Sequence, residues 1–234
     1  MIMARRPKSA KTILTELNLE LKHFDPLTDN QEGFFNSYDT GKHQMLLGSA
    51  GSGKTFMAIY KAMKEVAEGK YRRVVIVRSA VPTREIGFLK GDEKEKGMIY
   101  TLPYQKIMAD LFGRGDAYTI LTQHDVVRFV LTSYVRGLTI DDAVVIVDEC
   151  QNLSFHEADS IITRVGHNTK IMFTGDLMQT DFTKHSDKTF YKFANIVQHL
   201  SEFDTHHFTF EDIVRSGLVK HYIKLKQHMY GDEL

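Results

Sequence analysis

Residues 48–55, GSAGSGKT, are the part of this sequence best suited to chemistry. They match the pattern G-x-x-x-x-G-K-[ST] in full and lie between a predicted strand and a predicted helix, which is the context this pattern requires. Backbone N–H groups there can face a chain of phosphates, Lys54 can neutralise its β and γ oxygens, and Thr55 can offer a hydroxyl to Mg²⁺. The pattern predicts a site for ATP and Mg²⁺ formed by Gly48, Ser49, Ala50, Gly51, Ser52, Gly53, Lys54 and Thr55.

An acidic pair follows a second hydrophobic run, VVIV at residues 144–147. Asp148 is predicted to bind Mg²⁺, and Glu149 is predicted to polarise the water that attacks the terminal phosphate. An acidic strand end is also common as plain surface. Its combination with the phosphate loop, residues 48–55, favours catalysis.

Three further residues are weaker candidates for the same site. Gln179 follows a third apolar run and could sense the γ-phosphate, although a Gly-Asp turn at a strand end is everyday structure. Gln31, 17 residues before Gly48, could donate to and accept from one adenine edge. Arg215 could stabilise transition-state charge as an arginine finger, and the alternative is a surface ion pair.

Polar and basic residues follow the second and third predicted strands. Hydroxyl, basic and aromatic side chains at the carboxyl ends of parallel strands suit a groove that follows a nucleic-acid backbone. Acidic residues in the same segments favour an ordinary solvated loop instead. The candidate nucleic-acid residues are Arg78, Ser79, Thr83, Arg84, Tyr134 and Arg136.

Short apolar runs alternate with amphipathic stretches, which predicts an α/β fold with a mostly parallel sheet and helices on both faces. Such an arrangement brings the strand ends, and therefore the candidate residues, to one edge. Strands are predicted at residues 44–47, 73–77, 127–131, 143–147, 170–174 and, more weakly, 207–210. Helices are predicted at residues 55–68, 102–112, 155–165, 188–200 and 211–229.

Length and composition limit the function classes. The 234 residues carry 30 Lys and Arg against 30 Asp and Glu, so affinity for nucleic acid would need a local basic surface. Cys150 is the only cysteine, which excludes an internal disulfide and a cysteine-rich zinc site. We expect a basic, partly flexible arm at residues 1–23, one domain at residues 24–230, no membrane span and a cytoplasmic location.

Taken together, these motifs resemble the PhoH family, ATPases related to the first lobe of superfamily 1 helicases, over residues 24–229. The segments that carry the resemblance are residues 26–31, the phosphate loop, residues 78–82 and 86–96, YVRG at 134–137, VDECQN at 147–152, TGD at 174–176 with Gln179, and DIVRS at 212–216 with residues 218 and 219. The resemblance implies a RecA-like P-loop fold and ATP hydrolysis, with Lys54, Thr55, Asp148, Glu149, Gln179 and Arg215 at the nucleotide site.

The family includes ring oligomers and RNA-acting members fused to a PIN ribonuclease domain. We expect no room for a PIN domain in this sequence, and therefore do not expect nuclease activity. Cys150 stands where the family usually has alanine. The compact form looks like bacteriophage-encoded members, which would place the protein in a host cytoplasm. The leading hypothesis is thus an ATPase coupled to RNA or single-stranded DNA. A homo-oligomer, such as a hexameric ring, would place Arg215 in the neighbour's site. The alternatives are an ATP-gated interaction module with little turnover and a thymidine-kinase-like enzyme.

Overall fold

The computed structural model describes residues 9–79, 93–176 and 189–230, and six strands in these ranges form one parallel sheet. The strands are β1 His43–Gly48, β2 Arg73–Arg78, β3 Val127–Leu131, β4 Ala143–Asp148, β5 Thr169–Gly175 and β6 Phe203–Phe208, in the order β3-β2-β4-β5-β1-β6. Because all six run in one direction, the ends of β1, β4 and β5 meet at one edge. The predicted α/β class with a parallel sheet is confirmed.

Helices cover both faces of the sheet, as predicted. They are α1 Ala10–Glu16, α2 Asp29–Asp39, α3 Lys54–Glu68, α4 Glu93–Phe112, α5 Ala117–Gln123, α6 Phe155–Ile162, α7 Thr189–Gln198 and α8 Gly217–Tyr230. Buried side chains of α1 to α5 form one apolar cluster, and those of α6 and α7 form another on the opposite face. Strands β2 and β4, in the interior of the sheet, are nearly continuous Val and Ile runs, because both of their faces are buried.

Some of the predicted strands and helices lie at other positions in the structure, and some helices of the structure were not predicted. The sixth strand lies at residues 203–208 rather than 207–210, since it is an edge strand that needs no continuous apolar run. The last helix begins at Gly217 rather than at residue 211, because a 3₁₀ turn at Phe210–Asp212 and an irregular segment come first. Helices α1, α2 and α5 were not predicted.

The described part of the predicted basic arm packs against the sheet-covering helices. Ser9 caps α1 by accepting a hydrogen bond from the backbone N–H of Thr12, and α1 packs on α3. Ala10, Leu14 and Leu19 are buried in the apolar cluster. Residues on both sides of residue 24 therefore pack into the same apolar cluster. The division into an arm and a domain stays a prediction. No helix within the described ranges is long and apolar enough to cross a membrane.

Candidate functional site

The phosphate loop leaves β1 with glycines in backbone conformations that other residues rarely adopt. Gly48 has φ +134° and Gly51 has φ +84°. A Cβ on Gly48 would overlap the backbone carbonyl of Phe208, and one on Gly51 would lie 2.8 Å from Cγ of Arg215. The loop is thus held closely between its neighbours, which explains the glycines at these positions.

Lys54 begins α3 and is buried beneath the loop, with 8% of its surface exposed. Its Nζ donates to the carbonyl oxygens of Gly48 and Ser49, each at 2.8 Å, and to Oγ of Ser52 at 3.2 Å. Burial lowers the pKa of Lys54, although the carboxylates of the site act in the opposite direction. The ammonium group lies where an anionic ligand on the loop would complement its charge.

Asp148 is the best-anchored acid of the site, with 4% of its surface exposed. Oδ1 accepts hydrogen bonds from Thr55 at 2.8 Å and from Thr174 at 2.6 Å, and Oδ2 accepts one from the Tyr104 hydroxyl at 2.8 Å. Burial, followed by the charge of Asp148, raises the pKa of Tyr104 well above its usual value. The carboxylate therefore joins the phosphate loop, β5 and α4.

Glu149 directly follows Asp148 in a left-handed conformation, with φ +52°. Its Oε2 accepts a hydrogen bond of 2.6 Å from Nε2 of Gln151, whose Oε1 accepts one of 3.0 Å from the N–H of Asp176. The carboxylate of Asp176 accepts a further bond from the backbone N–H of Ala50 at 2.9 Å. One chain of hydrogen bonds thus connects the second acid with the phosphate loop.

A cavity of about 510 Å³ opens over the phosphate loop. Its lining includes Ala50, Gly51, Gly53, Lys54, Thr55, Arg78, Asp148, Glu149 and Arg215 from the predicted residues, together with Phe56, Pro103, Lys106, Ile107, Asp110, Gly175, Asp176 and Val214. The structure therefore brings the two acids, the lysine and the arginine to one space. The contribution of α4 was missed, because no sequence motif marks the face that a helix turns to a cavity.

Gln31 was predicted to contact adenine, but it is not among the described residues that line the cavity. It is buried at the start of α2, where Nε2 donates to the carbonyl of Ser52 at 3.0 Å and Oε1 accepts from the N–H of Leu27 at 2.7 Å. In this structure Gln31 therefore binds the phosphate loop through the backbone carbonyl of Ser52. A contact with adenine stays a prediction.

Arg215 was predicted at the start of a helix, and it lies instead two residues before α8. The N–H of Val214 donates to the carbonyl of Gly51 at 3.1 Å, which lays residues 213–215 across the phosphate loop. Asp212 anchors this segment by accepting hydrogen bonds from Thr28 at 2.6 Å and Asn30 at 2.8 Å. Arg215 therefore lines the cavity of its own chain.

A second cavity of about 640 Å³ adjoins the first, and Phe56 and Asp110 line both. The ring of Phe24 packs edge to face on Phe56 with ring centroids 5.0 Å apart. Lys22, His23 and Arg114 complete its polar lining. This site was not predicted, since residues 22–24 were assigned to the arm and its border.

A family model described as "PhoH-like protein" matches residues 23–227, which is most of the chain. The chain belongs to the PhoH family. The resemblance drawn from the motifs is thereby confirmed, whereas the likeness to bacteriophage-encoded members stays a prediction.

Curated PhoH-like proteins share the family but are longer. A PhoH-like protein of Bacillus subtilis (strain 168) is 37% identical over 139 residues, which cover 59% of this chain and 43% of the relative. One of Mycobacterium leprae (strain TN) is 28% identical over 211 residues, covering 88% of this chain and 60% of the relative. The chain spans about half the length of these relatives.

The comparison with solved structures gives partial matches, among them the following two. A Sulfolobus solfataricus SWI2/SNF2 ATPase core in complex with dsDNA covers 80% of this chain and 45% of its own, at 11% identity and a TM-score of 0.47. Pif1 helicase from Candida albicans covers 80% of this chain and 41% of its own, at 14% identity and a TM-score of 0.40.

The predicted nucleic-acid residues of this PhoH-family chain separate into two groups. Arg78 lines the cavity over the phosphate loop, where it hydrogen-bonds with Tyr104 and lies 5.9 Å from the ring centroid of Tyr100. Burial opposes its charge, but Tyr104 and the nearby carboxylates outweigh burial and raise the pKa of Arg78. The predicted contact of Arg78 with nucleic acid stays a prediction.

The other described members of this group are not among the residues that line that cavity. Tyr134 and Arg136 are exposed after β3, and Ser79 is partly buried after β2. Thr83 and Arg84 lie outside the described residues, as does Gln179.

Proposed function

We propose that this chain binds Mg-ATP in the cavity over the phosphate loop, hydrolyses it, and couples hydrolysis to RNA or single-stranded DNA. One observation carries the proposal. The buried carboxylate of Asp148 is hydrogen-bonded to Thr55 of the phosphate loop, while the adjacent Glu149 reaches the same cavity. Two acids at a strand end beside such a loop are what metal-assisted phosphate hydrolysis requires.

The side chains of the site fit Mg²⁺. Asp148 and Thr55 offer the oxygen ligands that this ion prefers, and they already lie within hydrogen-bond distance of each other. When bound, Mg²⁺ would neutralise phosphate charge during transfer. Asp148 and Thr55 are accordingly assigned as its ligands, with Thr174 and Tyr104 orienting the carboxylate.

Lys54 and the loop residues Gly48, Ser49, Ala50, Gly51, Ser52 and Gly53 are assigned to the phosphates. The ammonium group of Lys54 is held by loop carbonyl groups and can exchange them for phosphate oxygens. Glu149 is assigned to the attacking water, with Gln151 holding its side chain. Gln179, which lies outside the described residues, is assigned to sensing the γ-phosphate by family resemblance.

The second cavity is our candidate for the nucleoside end of ATP. It continues the ATP-site cavity past Phe56, and the rings of Phe24 and Phe56 offer apolar surface to a base. Lys22 and Arg114 at its rim can contact ribose or phosphate oxygens. Phe24→Ala is expected to weaken ATP binding more than inorganic triphosphate binding.

Arg215 is assigned to transition-state charge, and its position against Gly51 of the same chain supports a role in cis. In the ring that the sequence suggested, Arg215 would act on the ATP site of a neighbouring copy. The two arrangements predict different results when two inactive variants are mixed. If Arg215 acts in cis, mixing Arg215→Ala with Lys54→Ala should restore no turnover. Recovery of turnover in the mixture would support the trans arrangement instead.

The proposal is tested by measuring ATP turnover with and without single-stranded RNA and DNA. Lys54→Ala and Glu149→Gln should each abolish turnover, with Glu149→Gln still binding ATP. Lys70→Ala is the matched control, because Lys70 is an exposed lysine that pairs with Glu68 at the far end of α3. Stimulation by one polymer would name the partner.

Other results would contradict parts of the proposal. Nucleotide binding without turnover would favour the ATP-gated interaction module, and phosphate transfer to thymidine would favour the kinase. Turnover that ignores both polymers would leave the ATPase standing and remove nucleic acid as its partner.

A further inference from the structure

We propose that Tyr104 is a positioning residue for the metal site, and that its hydroxyl sets how tightly the site takes up Mg²⁺ with nucleotide. The inference rests on the proposed function, because it concerns the metal ion of the same cavity. Tyr104 belongs to α4, a helix that the sequence motifs did not connect with the site.

The three donors on Asp148 divide between its two oxygens. Thr55 and Thr174 approach Oδ1, and Tyr104 approaches Oδ2 at 2.8 Å. Thr55 is itself an assigned metal ligand, so its hydroxyl would serve both Asp148 and the ion. Thr174 and Tyr104 are the two donors that are assigned to the carboxylate alone, one on each oxygen. Loss of either would let the carboxylate rotate away from the ion.

Tyr104 is in turn oriented by Arg78. The register of the sheet makes Arg78 on β2 the partner of Asp148 on β4, and the Arg78 guanidinium hydrogen-bonds the Tyr104 side chain. The ring of Tyr104 is fully buried and packs 5.8 Å from that of Phe129. A guanidinium on one side and a carboxylate on the other strengthen the hydroxyl as a donor to Asp148.

Ring packing and the hydroxyl can be separated by Tyr104→Phe, which keeps the ring and removes the oxygen. Tyr118→Phe is the matched control, because Tyr118 is also buried and its hydroxyl pairs with Thr101 rather than with an acid of the site. Groups that orient metal ligands typically change metal affinity by about 10-fold to 100-fold when removed.

The test measures Mn²⁺ uptake in the presence of a non-hydrolysable ATP analogue by electron paramagnetic resonance of the free ion. Tyr104→Phe should raise the apparent dissociation constant of Mn²⁺ about tenfold or more. It should leave the affinity for a fluorescent ATP analogue in EDTA within about twofold, and the Mg²⁺ concentration for half-maximal turnover should rise in parallel. Tyr118→Phe should match the wild type in all three measurements.

Three outcomes would overturn the inference: wild-type Mn²⁺ affinity in Tyr104→Phe, an equal shift in Tyr118→Phe, or an equal loss of nucleotide affinity with and without metal. Failure of the proposed function gives a different pattern. In that case the wild type would not hydrolyse ATP, while the Mn²⁺ comparison could still be made with the bound analogue.

Discussion

Gln151 donates from its amide nitrogen to the Glu149 carboxylate at 2.6 Å. The same amide accepts from the N–H of Asp176 through its oxygen. Gln151 is buried and lies in the 3₁₀ turn Cys150–Asn152 directly after the acid pair. The proposed base is therefore oriented by its own turn and by the end of β5.

Gln151→Leu should lower the turnover number about 10-fold to 100-fold and change ATP affinity less than about threefold, because Glu149 would stay in place without a fixed direction. Steady-state kinetics and nucleotide binding measure the two effects. Gln105→Leu is the control, since its amide contacts Thr101 on α4. An equal fall in ATP affinity would assign Gln151 to the shape of the loop rather than to the orientation of Glu149.

Gly48→Ala should destabilise the protein by about 2 kcal/mol or more, because its conformation is left-handed and a Cβ would overlap the carbonyl of Phe208. Gly33→Ala should act in the opposite sense. Gly33 lies inside α2 with no atom within 4 Å of an added Cβ, so alanine should stabilise by about 0.5–1 kcal/mol. Urea unfolding of both variants checks the pair, and destabilisation by Gly33→Ala would contradict the helical packing of α2.

Asp212→Asn should lower the free energy of unfolding by about 1–3 kcal/mol at pH 7, since the carboxylate accepts hydrogen bonds from Thr28, Asn30 and Thr209. Burial opposes its charge, but these hydrogen bonds outweigh burial and lower the pKa of Asp212. A pKa below that of the unfolded chain means that the stabilisation is complete above about pH 4 and is lost as pH falls through the folded value.

The difference between wild type and Asp212→Asn should thus shrink below about pH 4, where the wild-type carboxylate takes up its proton. Unfolding curves at a series of pH values measure it. Glu211→Gln, at an exposed neighbouring carboxylate, should change stability by less than about 0.5 kcal/mol. A constant difference across the whole pH range would mean that Asp212 acts through packing and not through its charge.

Lys170→Met should cost about 3 kcal/mol, because it removes the buried cation beside the Glu65 carboxylate and, among the described residues, leaves only the exposed Lys70, 3.8 Å away. Lys170 and Glu65 lie 3.4 Å apart, and the Lys170 ammonium also sits 3.7 Å from the ring centroid of Tyr38. The double variant Lys170→Met/Glu65→Gln should recover part of the loss. Nucleotide affinity should be unchanged, since Glu65 is about 16 Å along α3 from Lys54. Chemical denaturation and nucleotide titration give the two readouts, and weaker ATP binding would contradict this separation.

Contiguous motifs made the centre of the site predictable from sequence. The phosphate loop and the pair Asp148 and Glu149 each follow a run of apolar residues. One segment therefore predicted the strand, the turn after it and the residues with a chemical role. Lys54, Thr55, Asp148 and Glu149 consequently lie together in the structure as expected. Their roles stay predictions until turnover is measured.

Side-chain direction could not be read in the same way. Arg78 at a strand end resembles a surface cation, but its side chain hydrogen-bonds with Tyr104, a residue of α4 that stands 26 residues further along the chain. The start of α8 was placed too early because residues 211–216 read as part of an amphipathic stretch. Asp212 and Val214 instead make long-range hydrogen bonds to residues 28, 30 and 51, which a local pattern does not contain.

The hydrogen bond from Val214 to Gly51 has a practical consequence for protein engineering. A shortened version that ends at Phe208 would keep all six strands and both acids, and would still be expected to fold around the same sheet. It would nevertheless lose the covering of the phosphate loop and the anchor of residues 28 and 30. Any minimal version intended to retain nucleotide binding should therefore extend at least through Ser216.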